Sequence, residues 1–170
     1  MDFFTQEHLD ARKKYDTTKQ ANHWLNTIDT TSLNDGMIEF IEKMPYFFLA
    51  TSSSNGNTNV NFKGTQGKSL IKVLNNKKLI FADFSGNGIL HSVGDISSNP
   101  NIGMLIIDFN NNIRLKISGN ATIIDDTKQI SKYLDIFDTY SIARLIEVEI
   151  NYVIPNCSDN ISVVKNSLLR

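Results

Sequence analysis

Residues 102–125 read IGMLIIDFNNNIRLKISGNATIID. Ile102–Asp108 and Ile113–Asp125 are apolar, β-branched runs, and Asn110-Asn111-Asn112 between them tolerates the left-handed backbone of a tight turn. The segment therefore predicts an antiparallel hairpin. The same punctuation recurs upstream. Tyr46–Thr51 and Thr58–Lys63 flank Asn55-Gly56, while Ser69–Leu74 and Leu79–Asp83 flank Asn75-Asn76-Lys77-Lys78. Near the C-terminal end Ile146, Val148 and Ile150 alternate with Glu147, Glu149 and Asn151, which predicts a strand with one wet face. About six to seven strands joined in hairpins make a mainly β (α+β) chain, and an antiparallel barrel, closed or nearly so, removes their exposed edges. A doubly wound parallel sheet does not fit the pattern.

Helical spacing interrupts the strands. Gln6–Leu25, with sparse Leu9, Tyr15, Ala21 and Leu25, predicts one polar helix. Ser32 ahead of Asp35 resembles a helix start, and Met37, Phe40, Ile41 and Met44 follow at i, i+3, i+4, i+7 until Pro45 ends the pattern. Ile89, Leu90, Val93 and Ile96 predict a helix that stops at Asn99-Pro100, and Ile130, Tyr133, Leu134 and Phe137 another after Asp125-Asp126-Thr127. Repeats and long Pro/Gly/Ser linkers are absent, so residues 1–170 read as a single domain with N-terminal helices in 1–44.

The 170 residues are 41% hydrophobic and 21% charged, with 17 Lys+Arg against 18 Asp+Glu. A chain of this length buries roughly 70% of its unfolded surface and needs neither disulfide nor structural metal. Its formal net charge of −1 argues against nucleic acid or an acidic membrane as partner, because such surfaces require a basic excess. No run of roughly 18 apolar residues spans a membrane. An N-terminus without a basic or apolar leader, and the lone Cys157, lead us to expect a cytoplasmic protein.

His8, His23 and His91 are scattered and form no metal-ligand spacing, and no nucleophile elbow is present. Asp125-Asp126 and the pair Glu147, Glu149 read as solvated turn and wet strand face. Three clusters carry more information. Phe84-Ser85-Gly86-Asn87-Gly88 links a strand to a helix, where small residues let backbone approach a ligand and the helix N-terminus favours phosphate; the same residues also suit an ordinary turn. Asn61-Phe62-Lys63-Gly64-Thr65-Gln66-Gly67-Lys68-Ser69 holds two lysines and two glycines, as an anion cradle or a solvent loop would. Arg114 opens a strand in a chain with four arginines, and either fixes a polar ligand edge or faces water.

The order of these clusters between Phe47 and Ile124 resembles the pyridoxamine 5′-phosphate oxidase-like family of FMN-binding split barrels. The resemblance runs through Phe47-Phe48-Leu49-Ala50-Thr51, Phe62-Lys63-Gly64, Leu79-Ile80-Phe81-Ala82-Asp83, Gly86-Asn87-Gly88, Asn99-Pro100 and Arg114-Leu115-Lys116-Ile117-Ser118-Gly119, with Val153-Ile154-Pro155-Asn156-Cys157 like the family's tail. It implies an antiparallel split β-barrel with flanking helices, and a homodimer with FMN at the subunit interface. Ser69–Lys72 matches the strand that meets the FMN phosphate and ring edge. Ala82 and Asp83 match positions whose backbone approaches the flavin, Asn87 the phosphate turn, and Arg114 the position reaching the isoalloxazine.

Two departures qualify this likeness. Asn87-Gly88-Ile89 stands where the true oxidase has Arg and Lys, so Lys63, Lys68 or Lys72 would meet the phosphate charge. The oxidase's C-terminal Arg/His and Trp pattern is also missing, so pyridoxamine phosphate oxidase activity is not expected. What remains is an FMN-dependent oxidoreductase acting on a small-molecule substrate or electron donor. The alternatives are a non-catalytic flavin- or haem-binding barrel, with His91 or Cys157 as conceivable haem ligand, a deazaflavin in place of FMN, or a barrel that has lost its cofactor and serves as an interaction module.

Overall fold

A computed structural model describes residues 4–65, 70–137, 142–156 and 161. Lys68, Ser69 and Cys157 lie outside them. The predicted long N-terminal helix is two: α1 (Gln6–Lys14) and α2 (Thr18–Leu25). Asp16 separates them with a φ of 53°, a left-handed conformation that no helix interior accommodates. The next helix, α3 (Asp35–Lys43), begins not at Ser32 but after Asn34, whose Oδ1 accepts from the Met37 N–H at 2.9 Å. A side-chain acceptor at this position satisfies one of the donors that a helix start leaves unpaired.

Seven strands follow: β1 (Tyr46–Ser52), β2 (Thr58–Gly64), β3 (Ile71–Asn75), β4 (Lys78–Phe84), β5 (Asn101–Asp108), β6 (Ile113–Ile124) and β7 (Ile142–Asn156). α4 (His91–Ser98) lies between β4 and β5, and α5 (Thr127–Ser131) before β7. The last predicted helix is thus shorter than its apolar spacing suggests, and residues after Ser131 form turns. The strand order is β2-β1-β5-β6-β7-β4-β3, antiparallel throughout. All three predicted hairpins are present. Gly56, with φ of 81°, supplies the left-handed residue of the first.

The barrel is split rather than closed. β2 and β3 are the ends of the strand order, and no ladder joins them among the described residues. The sheet is nevertheless curled, because Phe47 on β1 and Phe81 on β4, four places apart in that order, meet edge to face at 5.0 Å between ring centroids. Both rings are fully buried, with Leu49, Ile80, Ile106, Ile117 and Leu145 in the same core. Such aromatic and branched side chains supply most of the burial energy in a domain this size.

β7 is the organising strand. It pairs with β6 on one side and β4 on the other, so among the described residues the β2-β1-β5-β6 ladders connect to the β4-β3 ladder through the last strand of the chain. A bulge at Ser118/Gly119 lets the two long strands stay paired while the sheet bends.

Candidate functional site

The edge strand β2 reverses the usual polarity of a strand. Asn59, Asn61 and Lys63 are half-buried on its inner side, while Val60 is 67% and Phe62 63% exposed. Each polar residue has a side-chain partner, across the hairpin for Asn59 and far along the chain for Asn61 and Lys63. Asn59 Nδ2 donates to Thr51 Oγ1 at 3.2 Å, and that hydroxyl donates to the buried Asp95 on α4 at 2.6 Å. Asn61 Nδ2 donates to Ser92 Oγ at 2.5 Å, also on α4. Lys63 Nζ donates to Asp83 Oδ1 at 2.6 Å, across the split from β2 to β4. Burial makes such bonds costly to leave unmade, so the three pairs pin α4 and β4 to β2.

Asp83 has a second cation. Arg144 stands directly opposite it in the β4–β7 ladder, and Nη1 donates to Asp83 Oδ2 at 2.9 Å. The three side chains are 20%, 9% and 18% exposed for Lys63, Asp83 and Arg144. Two cations sharing one carboxylate leave one positive charge in a partly desolvated place, where its field is weakly screened.

This group borders a cleft of about 260 Å³. Its walls are Asn61, Phe62, Lys63, Asp83 and Phe84 on one side and the Gly86–Val93 segment on the other. That segment is an unusual entry to a helix. Gly88 has φ of 79°, Asn87 Oδ1 accepts from the Ile89 N–H at 3.1 Å, and Leu90 is left-handed at 53°. A left-handed leucine costs on the order of 1 kcal/mol. The turn holds Ile89 and Leu90 in solvent, 71% and 51% exposed, so the cleft has an apolar lip above a charged floor. His91, the first residue of α4, is exposed on the wall.

Residues 33–152 match the family model of pyridoxamine 5′-phosphate oxidase. The chain belongs to this family. No curated protein matches it in sequence. Several solved structures are similar at low identity. HupZ of Group A Streptococcus is 14% identical, with 72% of this chain and 93% of HupZ covered at a TM-score of 0.57. An FMN-binding protein from Syntrophomonas wolfei is 12% identical, with 82% and 95% covered at 0.55. HutZ, the haem storage protein from Vibrio cholerae, is 14% identical, with 72% and 93% covered at 0.50. At these identities the likeness establishes the split-barrel fold of the oxidase family, with α1 and α2 lying before the matched region.

Of the site residues expected from sequence, Lys63, Asp83 and Asn87 meet in the cleft. The other described ones do not. Lys72 pairs with Ile80 in the β3–β4 ladder, on the face opposite Asp83, and its Nζ is 2.8 Å from Glu42 of α3. Ala82 is buried on that same opposite face, its N–H donating to the Leu70 carbonyl at 3.2 Å. Arg114 lies on the outer side of β6, opposite Ile107, with Nε buried and unpartnered among the described residues. Sequence reading missed Arg144 and the α4 anchor residue Ser92. An acid ending an apolar strand at Asp83 hinted at a buried cation partner, but nothing local named Arg144.

Proposed function

We propose that the protein is an FMN-binding flavoprotein, an oxidoreductase working on a small-molecule substrate or electron donor as a homodimer. The observation that carries this reading is the positive Lys63–Asp83–Arg144 group opening into a cleft lipped by Phe62, Phe84, Ile89 and Leu90. A phosphate dianion, a polar ribityl chain and an apolar ring system ask for a cation, hydrogen-bonding side chains and apolar walls, and these residues offer all three. Lys63 would hold the phosphate, Asn61 and Asn87 would orient the polar chain, and the apolar lip would exclude water. When bound, the flavin supplies the hydride or electron chemistry. The chain needs no acid–base pair of its own for that class of reaction.

Two features support the homodimer. At about 260 Å³ the cleft falls short of the roughly 300–1,000 Å³ usual for such ligands. It also ends at the outer face of β2 and β1, where Phe62 stacks on Tyr46 at 5.6 Å and meets Phe48 edge-on at 5.8 Å. A second copy on this apolar face would deepen the cleft, cover Phe62 and Val60, and bring an acceptor to Arg114.

Haem binding without turnover is the second reading, favoured by the exposed imidazole of His91 on the cleft wall. The visible spectrum of purified protein, followed by heat release and identification of the chromophore, separates these. Stoichiometric FMN supports the first reading, and reduction by NADH or NADPH under turnover makes it an enzyme. A deazaflavin would correct the cofactor. An intense Soret band lost in His91→Ala supports haem. A colourless protein that takes up no added FMN refutes the flavin reading.

A further inference from the structure

The ionisable residues lining the cleft, among those described, are Lys63, Asp83 and His91. Lys63 and Asp83 are a matched ion pair, so the two cancel and add no net charge to the lining. Arg144 is not in the lining. It stands behind Asp83, held there by the β4–β7 register as well as by its hydrogen bond to Oδ2. We propose that Arg144, acting through Asp83, sets the charge of the cleft and makes it select a phosphorylated flavin over the same flavin without its phosphate. This inference rests on the FMN reading of the site.

Two physical effects converge. First, Arg144 adds a permanent positive charge beside an ion pair that is otherwise neutral. Its side chain is 18% exposed and that of Asp83 9%, so solvent screens the added charge poorly. A dianion gains from that field and an uncharged ribityl hydroxyl does not. Second, Arg144 occupies Asp83 Oδ2, so Lys63 engages only Oδ1. An ammonium has three donors, and with one on Asp83 the others remain for a ligand in the cleft. Without Arg144 the carboxylate would turn both oxygens toward Lys63 and compete with the phosphate. Arg144 is thus a positioning and specificity-determining residue rather than a contact residue.

The test is equilibrium binding of FMN and of riboflavin to the full chain, read by flavin fluorescence, for wild type, Arg144→Gln, Arg144→Lys and the double variant Asp83→Asn/Arg144→Gln. Wild type should prefer FMN. Arg144→Gln should weaken FMN about tenfold or more while leaving riboflavin nearly unchanged, the size expected for one poorly screened charge. Arg144→Lys keeps the charge and should keep the preference. The double variant removes one charge of each sign relative to wild type, leaves Lys63 unpaired, and should recover the preference for FMN. A merely structural role for Arg144 would weaken both flavins together and would not be rescued by the second substitution. An unchanged FMN-to-riboflavin ratio in Arg144→Gln, or a double variant as unselective as the single, overturns the role of Arg144 and leaves the FMN reading intact. A wild type that binds neither flavin overturns both.

Discussion

Asp83 on β4 and Arg144 on β7 stand opposite each other in an antiparallel ladder, and the same carboxylate reaches across the split of the barrel to Lys63 on β2. The ion group does the joining that a β2–β3 ladder would do in a closed barrel. Asp83→Ala would leave two partly buried cations facing each other without a counter-ion. We expect a loss of about 3 kcal/mol, since removing one partner from a buried pair costs more than the pair contributes. Urea unfolding of Asp83→Ala against Lys63→Met checks it, and Lys63→Met, which keeps the Asp83–Arg144 pair, should cost less.

Gly119 sits at the bulge where β6 changes register against β7. A Cβ there would strike the Glu149 carbonyl oxygen and approach Val148 Cγ1 to 2.8 Å. Backbone cannot retreat without breaking the ladder. Gly119→Ala should therefore destabilise the protein by about 2 kcal/mol or more, seen as a lower urea midpoint. Gly86→Ala, where a Cβ meets nothing within 4 Å, is the control and should leave the unfolding free energy within about 0.5 kcal/mol.

Asp29 orders the entry into the barrel. Its carboxylate accepts from the Ser32 hydroxyl at 2.6 Å, the Thr31 N–H at 2.7 Å and the Thr31 hydroxyl at 2.8 Å. These bonds, the Ser32 hydroxyl foremost, hold its pKa down to about 2, against 3.8 ordinarily. A carboxylate depressed in the folded state stabilises it fully above the unfolded pKa and loses that contribution as pH falls through the folded value. The stability difference between wild type and Asp29→Ala should be constant from neutral pH to about 5 and shrink between about pH 4 and pH 2. Chemical denaturation across that range measures it, and a difference that grows toward acid would contradict the argument.

Phe62 is 63% exposed although it stacks on Tyr46 and touches Phe48. In the proposed homodimer it would be covered. Phe62→Lys should shift the protein toward monomer by sedimentation velocity at micromolar concentration, while the monomer keeps its circular dichroism and thermal midpoint nearly unchanged. The substitution removes apolar area at the interface and sets two like charges near each other in the dimer. An unchanged dimer would place the interface elsewhere.

The sequence by itself determined the local features: three hairpins from their turn residues, α3 from its apolar spacing, the Gly86-Asn87-Gly88 bend, and an antiparallel sheet. Each depends on residues within a few positions of one another, so backbone preference and side-chain alternation suffice. It also pointed to Lys63, Asp83 and Asn87, because their segments carry the family pattern. The long N-terminal helix and the start at Ser32 failed for equally local reasons, a left-handed Asp16 and a better acceptor at Asn34. Tertiary structure alone decided the rest. Lys72 and Asp83 both lie on strands of one hairpin, yet a strand's period of two puts them on opposite faces, and only the observed register assigns those faces. Arg144 lies 61 residues from Asp83, and their meeting depends on β7 entering the sheet between β6 and β4. The split itself is likewise invisible in any one segment, because it is the gap between two edges brought near by the curl of the whole sheet.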